Sequence, residues 1–434
     1  TMADCYFAEK DEETQVVFDV FYRRNPDQGG FAIFAGLEQI VEYIEDLHFD
    51  EDDISYFSSL HLFSEEFLQY LKNFRFKGDI YAFPEGTVMY PNEPVLTVIA
   101  PLIDAQLIET AVLAQINHQS LIATKTQRIV KAADGRPVSD FGARRAHNMD
   151  AAVYGARAAY IGGAAGTATV LAGKQFGIPV GGTMAHSYVM YYQDELTAFR
   201  KYAAIYPDNC ILLVDTIDVL KSGVPHAVEV FREMQSAGIP LTVYGIRLDS
   251  GDLAYLSKKA RKMLDEAGFH DARIVVSNSL DEYTITSILD QGGCINSFGV
   301  GERLITAKSD PVFGAVYKIA AVNRDGKFEP RIKISESVEK ITNPGLKEVY
   351  RVYDEEGHAV ADLLANYDEE ISTDRPFRYV DPEQPWKNRS FENFTVKKLK
   401  QPVIKSGKRV MPTVSLTEIR DYVKRQLATE IWQE

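Results

Sequence analysis

The chain has 434 residues, 45% of them hydrophobic and 25% charged, which is the composition of a folded protein and excludes wholesale disorder. A formal net charge of −15 argues against nucleic acid or an anionic membrane surface as the main partner. Cys5, Cys210 and Cys294 are too few and too far apart for a disulfide framework or a zinc-ligand spacing. No apolar run approaches the roughly 20 residues of a membrane helix. The start at Thr1 has neither the basic nor the apolar region of a secretory signal. The expectation is a cytoplasmic enzyme acting on small molecules.

In chain order, residues 15–22 (QVVFDVFY) predict a strand, and Leu37, Ile40, Val41, Ile44 and Leu47 recur at helical spacing. Residues 81–101 alternate short extended runs with Pro and Gly breaks, the pattern of hairpin-like β structure. Residues 104–133 contain no Gly or Pro and predict one long helix. After Gly135 the rhythm changes to short apolar runs at 137–141, 178–182, 210–215, 241–248, 273–277 and 295–299, with helical patterns such as 252–267 and 281–290 between them. A seventh candidate strand lies at 316–322. Strands alternating with helices predict βαβ units around a parallel sheet, here an irregular α/β barrel. The predicted organisation is an N-terminal α/β domain at 1–134, the barrel with the active site at 135–320, and a C-terminal extension at 321–434. That extension ends in a helix near 416–432 and packs back on the N-terminal domain.

The polar residues collect at the C-terminal ends of the predicted strands: Asp140-Phe141-Gly142, Gly181-Gly182-Thr183, Asp215, residues 247–251 (RLDSG), Ser277-Asn278-Ser279 and residues 299–302 (GVGE). Barrels and doubly wound sheets alike build their sites there. Glycines let backbone N–H groups approach a phosphate, and helix N-termini favour anions. Arg144, Arg145 and Arg247 add local positive charge to an acidic molecule, which points to a multiply anionic small substrate. Taken singly, each of these loops is also ordinary turn chemistry.

His186 follows a Gly-Gly turn at one of these ends, so its ring would face the same mouth. There it could act as a base, a metal ligand or a nucleophile that accepts a phosphoryl group, against the plainer alternative of a structural histidine. His147 reads as structural. No H-E-x-x-H or similar cluster suggests a transition metal. The stretch 166–174 imitates a Walker loop, but Ala168 stands where its first Gly belongs and Gln follows Lys174.

Together these residues resemble the nicotinate phosphoribosyltransferases, the ATP-assisted enzymes of NAD salvage. The resemblance runs through residues 16–36 (VVFDVFYRRNPDQGGFAIFAG), 109–117 (ETAVLAQIN), 140–146 (DFGARRA), 181–186 (GGTMAH), 247–252 (RLDSGD) and 298–305 (FGVGERLI). It implies a type II phosphoribosyltransferase fold and a homodimer with shared active sites. The implied reaction joins nicotinate to 5-phosphoribosyl-1-pyrophosphate, with ATP and Mg²⁺ as cofactors. By resemblance, Phe141 stacks on the pyridine ring, Arg144 holds the nicotinate and ribosyl phosphate groups, and Arg247 and Asp249 meet the phosphoribosyl part. Ser277, Asn278, Gly299, Gly301 and Glu302 would cradle the 5′-phosphate, and His186 matches the histidine phosphorylated from ATP. Asp249 and Asp252 are the candidate carboxylates for a pyrophosphate-bound Mg²⁺.

Related nicotinamide-using enzymes carry an acidic residue where this chain has Ala168, within Gly166-Thr167-Ala168-Thr169-Val170. Its absence favours the acid substrate. The family's partner-derived stacking Tyr is expected just before Thr1, so the second stacking residue is unassigned. Quinolinate phosphoribosyltransferase, nicotinamide phosphoribosyltransferase and a non-catalytic nucleotide-binding barrel are the competing assignments. The first would need extra cations for a second carboxylate, and the last would predict loss of His186 or Asp249.

Overall fold

A computed structural model describes the chain except for Ser335, Val338, Glu339, Pro382, Glu383, Trp432, Gln433 and Glu434. It divides into two compact units, one formed by Thr1–Leu121 with Val312–Glu434 and the other by Ile122–Pro311. The first changeover falls inside a helix at 121/122 and the second at 311/312, where the sequence pattern suggested 134/135 and 320/321. Among the described residues no helix is long and apolar enough to cross a membrane.

In the first unit, strand Gln15–Phe21 is buried along almost its whole length, as its apolar run requires. It is central to a seven-stranded sheet, paired antiparallel with Leu96–Pro101 on one side and Val316–Arg324 on the other. The hairpin-like region pairs Asp79–Ala82 with Leu96–Pro101. The extension joins the same sheet through Gln401–Lys405 beside Asp79–Ala82. Its last helix, Leu416–Arg425, runs into a further turn, Gln426–Glu430, and the predicted end at Trp432 lies outside the described residues. The buried Gln426 amide donates to the Gly86 carbonyl (2.8 Å) and accepts from the Val88 N–H (3.0 Å), satisfying backbone groups that would otherwise be orphaned.

Three expectations change. The predicted long helix is two, Leu102–Leu107 and Glu109–Ala132, separated at Ile108, a break that neither Gly nor Pro announces. The seventh barrel strand, Val316–Arg324, belongs to the antiparallel sheet of the first unit. Its burial is interrupted along the strand, as suits a sheet with one wet face, whereas strands covered on both sides read as continuous apolar runs. The predicted strand at 178–182 makes only a single bridge, Val180 to Thr167. Pro179 has no N–H to give a ladder, and Gly181-Gly182 carries no side chains to pack.

In the second unit, six parallel strands lie in the order Gly166–Thr167, Val138–Asp140, Ser297–Val300, Arg273–Val276, Val243–Leu248, Asn209–Leu213. The sheet curls as an irregular half-barrel whose two edge strands do not pair with each other, in keeping with the expected irregular α/β barrel. Cys210, Ile211, Leu212 and Leu213 are all buried. Gly245 is indispensable to the packing: its φ is +155°, and a Cβ there would lie 2.0 Å from the Arg273 carbonyl oxygen of the next strand. Helices Val224–Ser236, Leu253–Glu266 and Glu282–Asp290 return the chain between strands, with Asp252 and Asp281 capping the last two. Every crossover therefore delivers its strand's C-terminal end to the same edge of the sheet.

Candidate active site

At that edge Arg247 is the hub. It is the penultimate residue of strand Val243–Leu248, and its guanidinium donates from Nε to Ser277 Oγ (2.9 Å) and from Nη1 to Thr183 Oγ1 (2.7 Å) and the Met184 carbonyl (3.1 Å). Its Nη2 donates to Asp249 Oδ1 (3.2 Å), which also accepts the Ser277 hydroxyl. Three segments, 183–184, 247–249 and 277, are tied together by one planar cation, a task suited to the fixed fork of arginine. The same guanidinium lies 6.0 Å from the centre of the Phe141 ring.

Phe141 is held from both sides. Its N–H donates to the Val300 carbonyl (2.8 Å), and the preceding Asp140 accepts from the Gly142 N–H (2.8 Å) and Thr167 Oγ1 (2.8 Å). Burial pushes the Asp140 carboxyl up, and those two hydrogen bonds pull it back. Gly299 lies directly against the ring, where a Cβ would come within 2.4 Å of it. A cavity of about 260 Å³ extends from Phe141, Thr167, Gly182 and Thr183 to Asn209, Val243, Arg273 and Ser297, the first residues of four strands, and so reaches toward the opposite edge of the sheet. Ala168 is exposed near it, its N–H bonded to the Asp140 carbonyl (2.9 Å). Arg144 is exposed on the short turn Ala143–Arg145 and makes no hydrogen bond or ion pair among the described residues.

His186 opens the helix His186–Tyr191. Its Nδ1 lies 3.0 Å from Thr216 Oγ1, while Nε2 faces Asp249 Oδ2 at 3.6 Å and Asp215 Oδ1 at 3.9 Å. Asp215 is almost wholly buried. Its Oδ2 accepts from the Asp249 N–H (2.9 Å) and the Ser250 hydroxyl (2.5 Å), and its Oδ1 has no hydrogen-bond partner. Asp215 and Thr183 were visible in the sequence only as residues at strand ends, and Thr216 was not singled out. The signal for Asp215 was its place after the apolar run 210–214 (CILLV), with nothing local to separate it from a turn aspartate.

Two predicted residues have other partners. Asp252 is exposed and caps Leu253–Glu266, accepting the Tyr255 N–H (2.9 Å). Glu302 pairs with Lys308 (2.6 Å) and lies 3.8 Å from Arg145; Lys308 holds its carboxyl below the usual range. Asn278 is exposed and takes φ +97°, followed by Ser279 at +37°, so this loop turns left-handed directly after the buried Ser277. Gly301 precedes the short helix Glu302–Ile305 and approaches the Phe141 backbone closely. Among the described residues no three His, Cys, Asp or Glu groups form a self-sufficient metal cage.

Three family models match the chain: the nicotinate phosphoribosyltransferase N-terminal domain over residues 1–117, the nicotinate phosphoribosyltransferase family over 137–356, and the C-terminal domain over 346–434. The nicotinate phosphoribosyltransferase of Bacillus subtilis (strain 168) is 45% identical over 434 residues, covering 100% of this chain and 88% of that protein. The crystal structure of human nicotinic acid phosphoribosyltransferase superposes with a TM-score of 0.87 at 26% identity, over 99% of this chain and 92% of the other. That of nicotinate-nucleotide pyrophosphorylase from Pyrococcus furiosus gives 0.74 at 25% identity, over 99% and 93%. Matching models along nearly the whole chain, a relative of this identity over its full length and the type II half-barrel agree: the chain belongs to the nicotinate phosphoribosyltransferase family.

Proposed function

We propose that this protein is a cytoplasmic enzyme of NAD salvage that joins nicotinate to 5-phosphoribosyl-1-pyrophosphate, releasing nicotinate mononucleotide and pyrophosphate, with ATP hydrolysis coupled through His186. The observation that carries this is the convergence of His186, Asp249 and Asp215 on the same strand ends as Arg247, Ser277 and Phe141.

Loss of pyrophosphate leaves an oxocarbenium-like ribosyl carbon, so catalysis is chiefly positioning and charge stabilisation. Phe141 stacks on the pyridine ring, and Arg144, free of internal partners, takes the carboxylate. Arg247 and Asp249 hold the phosphoribosyl group. Ser277, Asn278, Gly299 and Gly301 offer hydroxyl and backbone donors to the 5′-phosphate. Glu302, already paired with Lys308, contributes its backbone at the start of the short helix. Ala168 leaves the ring's carboxylate unopposed by any acidic side chain at that position.

Mg²⁺ takes few protein ligands and several substrate oxygens. The unpartnered Asp215 Oδ1 and the nearby Asp249 Oδ2 fit that requirement, whereas Asp252 is engaged as a cap. When bound with pyrophosphate, the ion would neutralise charge on the leaving group.

His186 has a distinct task. Two carboxylates beside Nε2 favour the tautomer with its proton there, which leaves the Nδ1 lone pair as the nucleophile. Nδ1 attacks the γ-phosphorus of ATP, a new N–P bond forms, and the broken P–O bond leaves its electron pair on ADP. The phosphoryl group later passes to water. While it remains, it adds about −1.5 to −2 charges close to the substrate, if it behaves like other phosphorylated side chains. Exposed apolar side chains on the helices after these strands, among them Met149, Val170, Met190 and Tyr191, support a homodimer that covers the site.

The test is product formation from phosphoribosyl pyrophosphate and Mg²⁺ with nicotinate, nicotinamide or quinolinate, each with and without ATP. The expected result is turnover of nicotinate alone, faster with ATP, with the stimulation lost in His186→Ala. Quinolinate turnover would select the rival enzyme, and an undiminished ATP effect in His186→Ala would remove the coupling role.

A further inference from the structure

We propose that Glu195, through Ser222 and His226, is a positioning residue that sets the spacing between His186 and its partner Thr216, and thereby controls coupling to ATP. The inference rests on the reading of His186 as the phosphoryl acceptor.

The contact between His186 and Thr216 joins two segments that do not hold each other by backbone pairing. His186 opens a six-residue helix, and Asp215 and Thr216 lie between strand Asn209–Leu213 and the turn Val219–Gly223. Both segments are fastened to a third element, the helix Glu195–Ile205. On the histidine side, the Tyr188 hydroxyl donates to the Ala198 carbonyl (3.3 Å), and its ring packs edge-on against Tyr202 with centroids 6.0 Å apart. On the aspartate side, the Ser222 hydroxyl donates to Glu195 Oε2 (2.5 Å), and His226 Nδ1 lies 2.8 Å from the same oxygen.

A shift of Ser222 has little room to dissipate before it reaches Thr216, whereas the Asp215 carboxylate is held in place by the Asp249 N–H and the Ser250 hydroxyl. Gly223 is pressed on the end of the strand, and a Cβ there would come within 1.9 Å of the Val214 carbonyl oxygen. Asp218 further stiffens the turn by accepting the Leu220 and Lys221 N–H groups (3.1 and 2.8 Å). The Glu195 side chain is fully buried, and its Oε1 has no hydrogen-bond partner. It is therefore out of reach of substrate. Burying a carboxylate with one oxygen unsatisfied is unfavourable, and an apolar side chain could fill the same junction. What an apolar side chain could not do is grip Ser222 and His226 together. The contact of His186 with Thr216 has an ordinary hydrogen-bond length of 3.0 Å, and a displacement of about an ångström would carry it beyond hydrogen-bond reach.

The test compares wild type, Glu195→Ala, Glu195→Gln, Ser222→Ala and His186→Ala. Mononucleotide formation is measured with and without ATP, together with ADP released per mononucleotide and phosphoryl label retained on His186. In Glu195→Ala, label and ATP stimulation should fall about 10- to 100-fold, as expected for misplacing a reacting group. Turnover without ATP should stay within about twofold of wild type. Glu195→Gln, whose amide oxygen still accepts both donors, should recover most of the loss. Equal losses with and without ATP, or wild-type label and stoichiometry in Glu195→Ala, would overturn the proposal. If Glu195→Ala does not fold, Ser222→Ala decides by the same ratios, with an intermediate loss expected and a wild-type ratio fatal. Undiminished ATP stimulation in His186→Ala would instead refute the reading of His186, whatever Glu195 does.

Discussion

Replacing Gly299 by alanine isolates the aromatic ring of the site from the rest of its chemistry. Gly299 lies within strand Ser297–Val300, where alanine is conformationally ordinary, so the effect is steric. The new methyl would sit 2.4 Å from Phe141 Cδ2 and Cε2, and ordinary contact begins at 3.4 Å, so the ring must retreat by about 1 Å. The Phe141 backbone is pinned by its bond to Val300, which leaves side-chain rotation as the available relief. An off-rotamer ring costs roughly 0.5–1.5 kcal/mol, and a lost stacking geometry about as much again. Because the displaced ring is the proposed platform for the pyridine, kcat/KM for nicotinate should fall about 10- to 100-fold. The KM for phosphoribosyl pyrophosphate should remain within about twofold, because alanine keeps the backbone group that Gly299 offers to the 5′-phosphate. Steady-state kinetics on both substrates, with a thermal melt as the folding control, make the comparison. An unchanged kcat/KM for nicotinate in a folded variant would refute the placement of the ring. Equal losses for both substrates would mean that the strand end as a whole has moved.

Ala168→Asp should lower kcat/KM for nicotinate by about 10-fold or more while sparing nicotinamide, because a new carboxylate repels only the acid; competition between the two substrates measures this, and equal losses count against it. Arg247→Lys should raise the KM for phosphoribosyl pyrophosphate and lower kcat, since an ammonium cannot serve Ser277, Thr183, Met184 and Asp249 at once; wild-type kinetics would refute its role as hub. Asp104 supplies a pH test in the first unit, where burial lifts its carboxyl to about 6 against the bond from the Lys77 N–H. The native state keeps a proton that the unfolded chain releases, so wild-type stability should fall as pH rises from 3.8 to about 6. Asp104→Asn should then be the more stable protein at pH 8 by up to about 3 kcal/mol, the difference closing below pH 4; parallel melts across that range that keep a constant gap would contradict it.

What the sequence made legible followed from two regularities. A parallel strand covered on both faces must be apolar along its length, so Ile211-Leu212-Leu213 and Ile274-Val275-Val276 stand out from their surroundings. The chain must then turn, and the residues that turn it include the ones available for chemistry. That is why Asp140, Asp215, Arg247, Ser277 and Gly299 could be grouped before their geometry was known. The edge strand Gly166–Thr167 was invisible because two residues carry no periodicity, and the open curl of the sheet depends on pairing between distant segments. The hardest distinction was among the aspartates. Asp249 and Asp252 lie in one short motif, RLDSGD, with similar surroundings in sequence. Asp252 occurs where the helix begins, and its carboxylate goes to the Tyr255 N–H. Asp249 comes before the turn is complete, so its two oxygens divide between Arg247 and the imidazole of His186. Asp215 approaches the same imidazole from another crossover, which no spacing within one motif could announce. A helix cap and a site carboxylate are thus the same residue type at nearly the same place, and the position of the first helical turn decides between them.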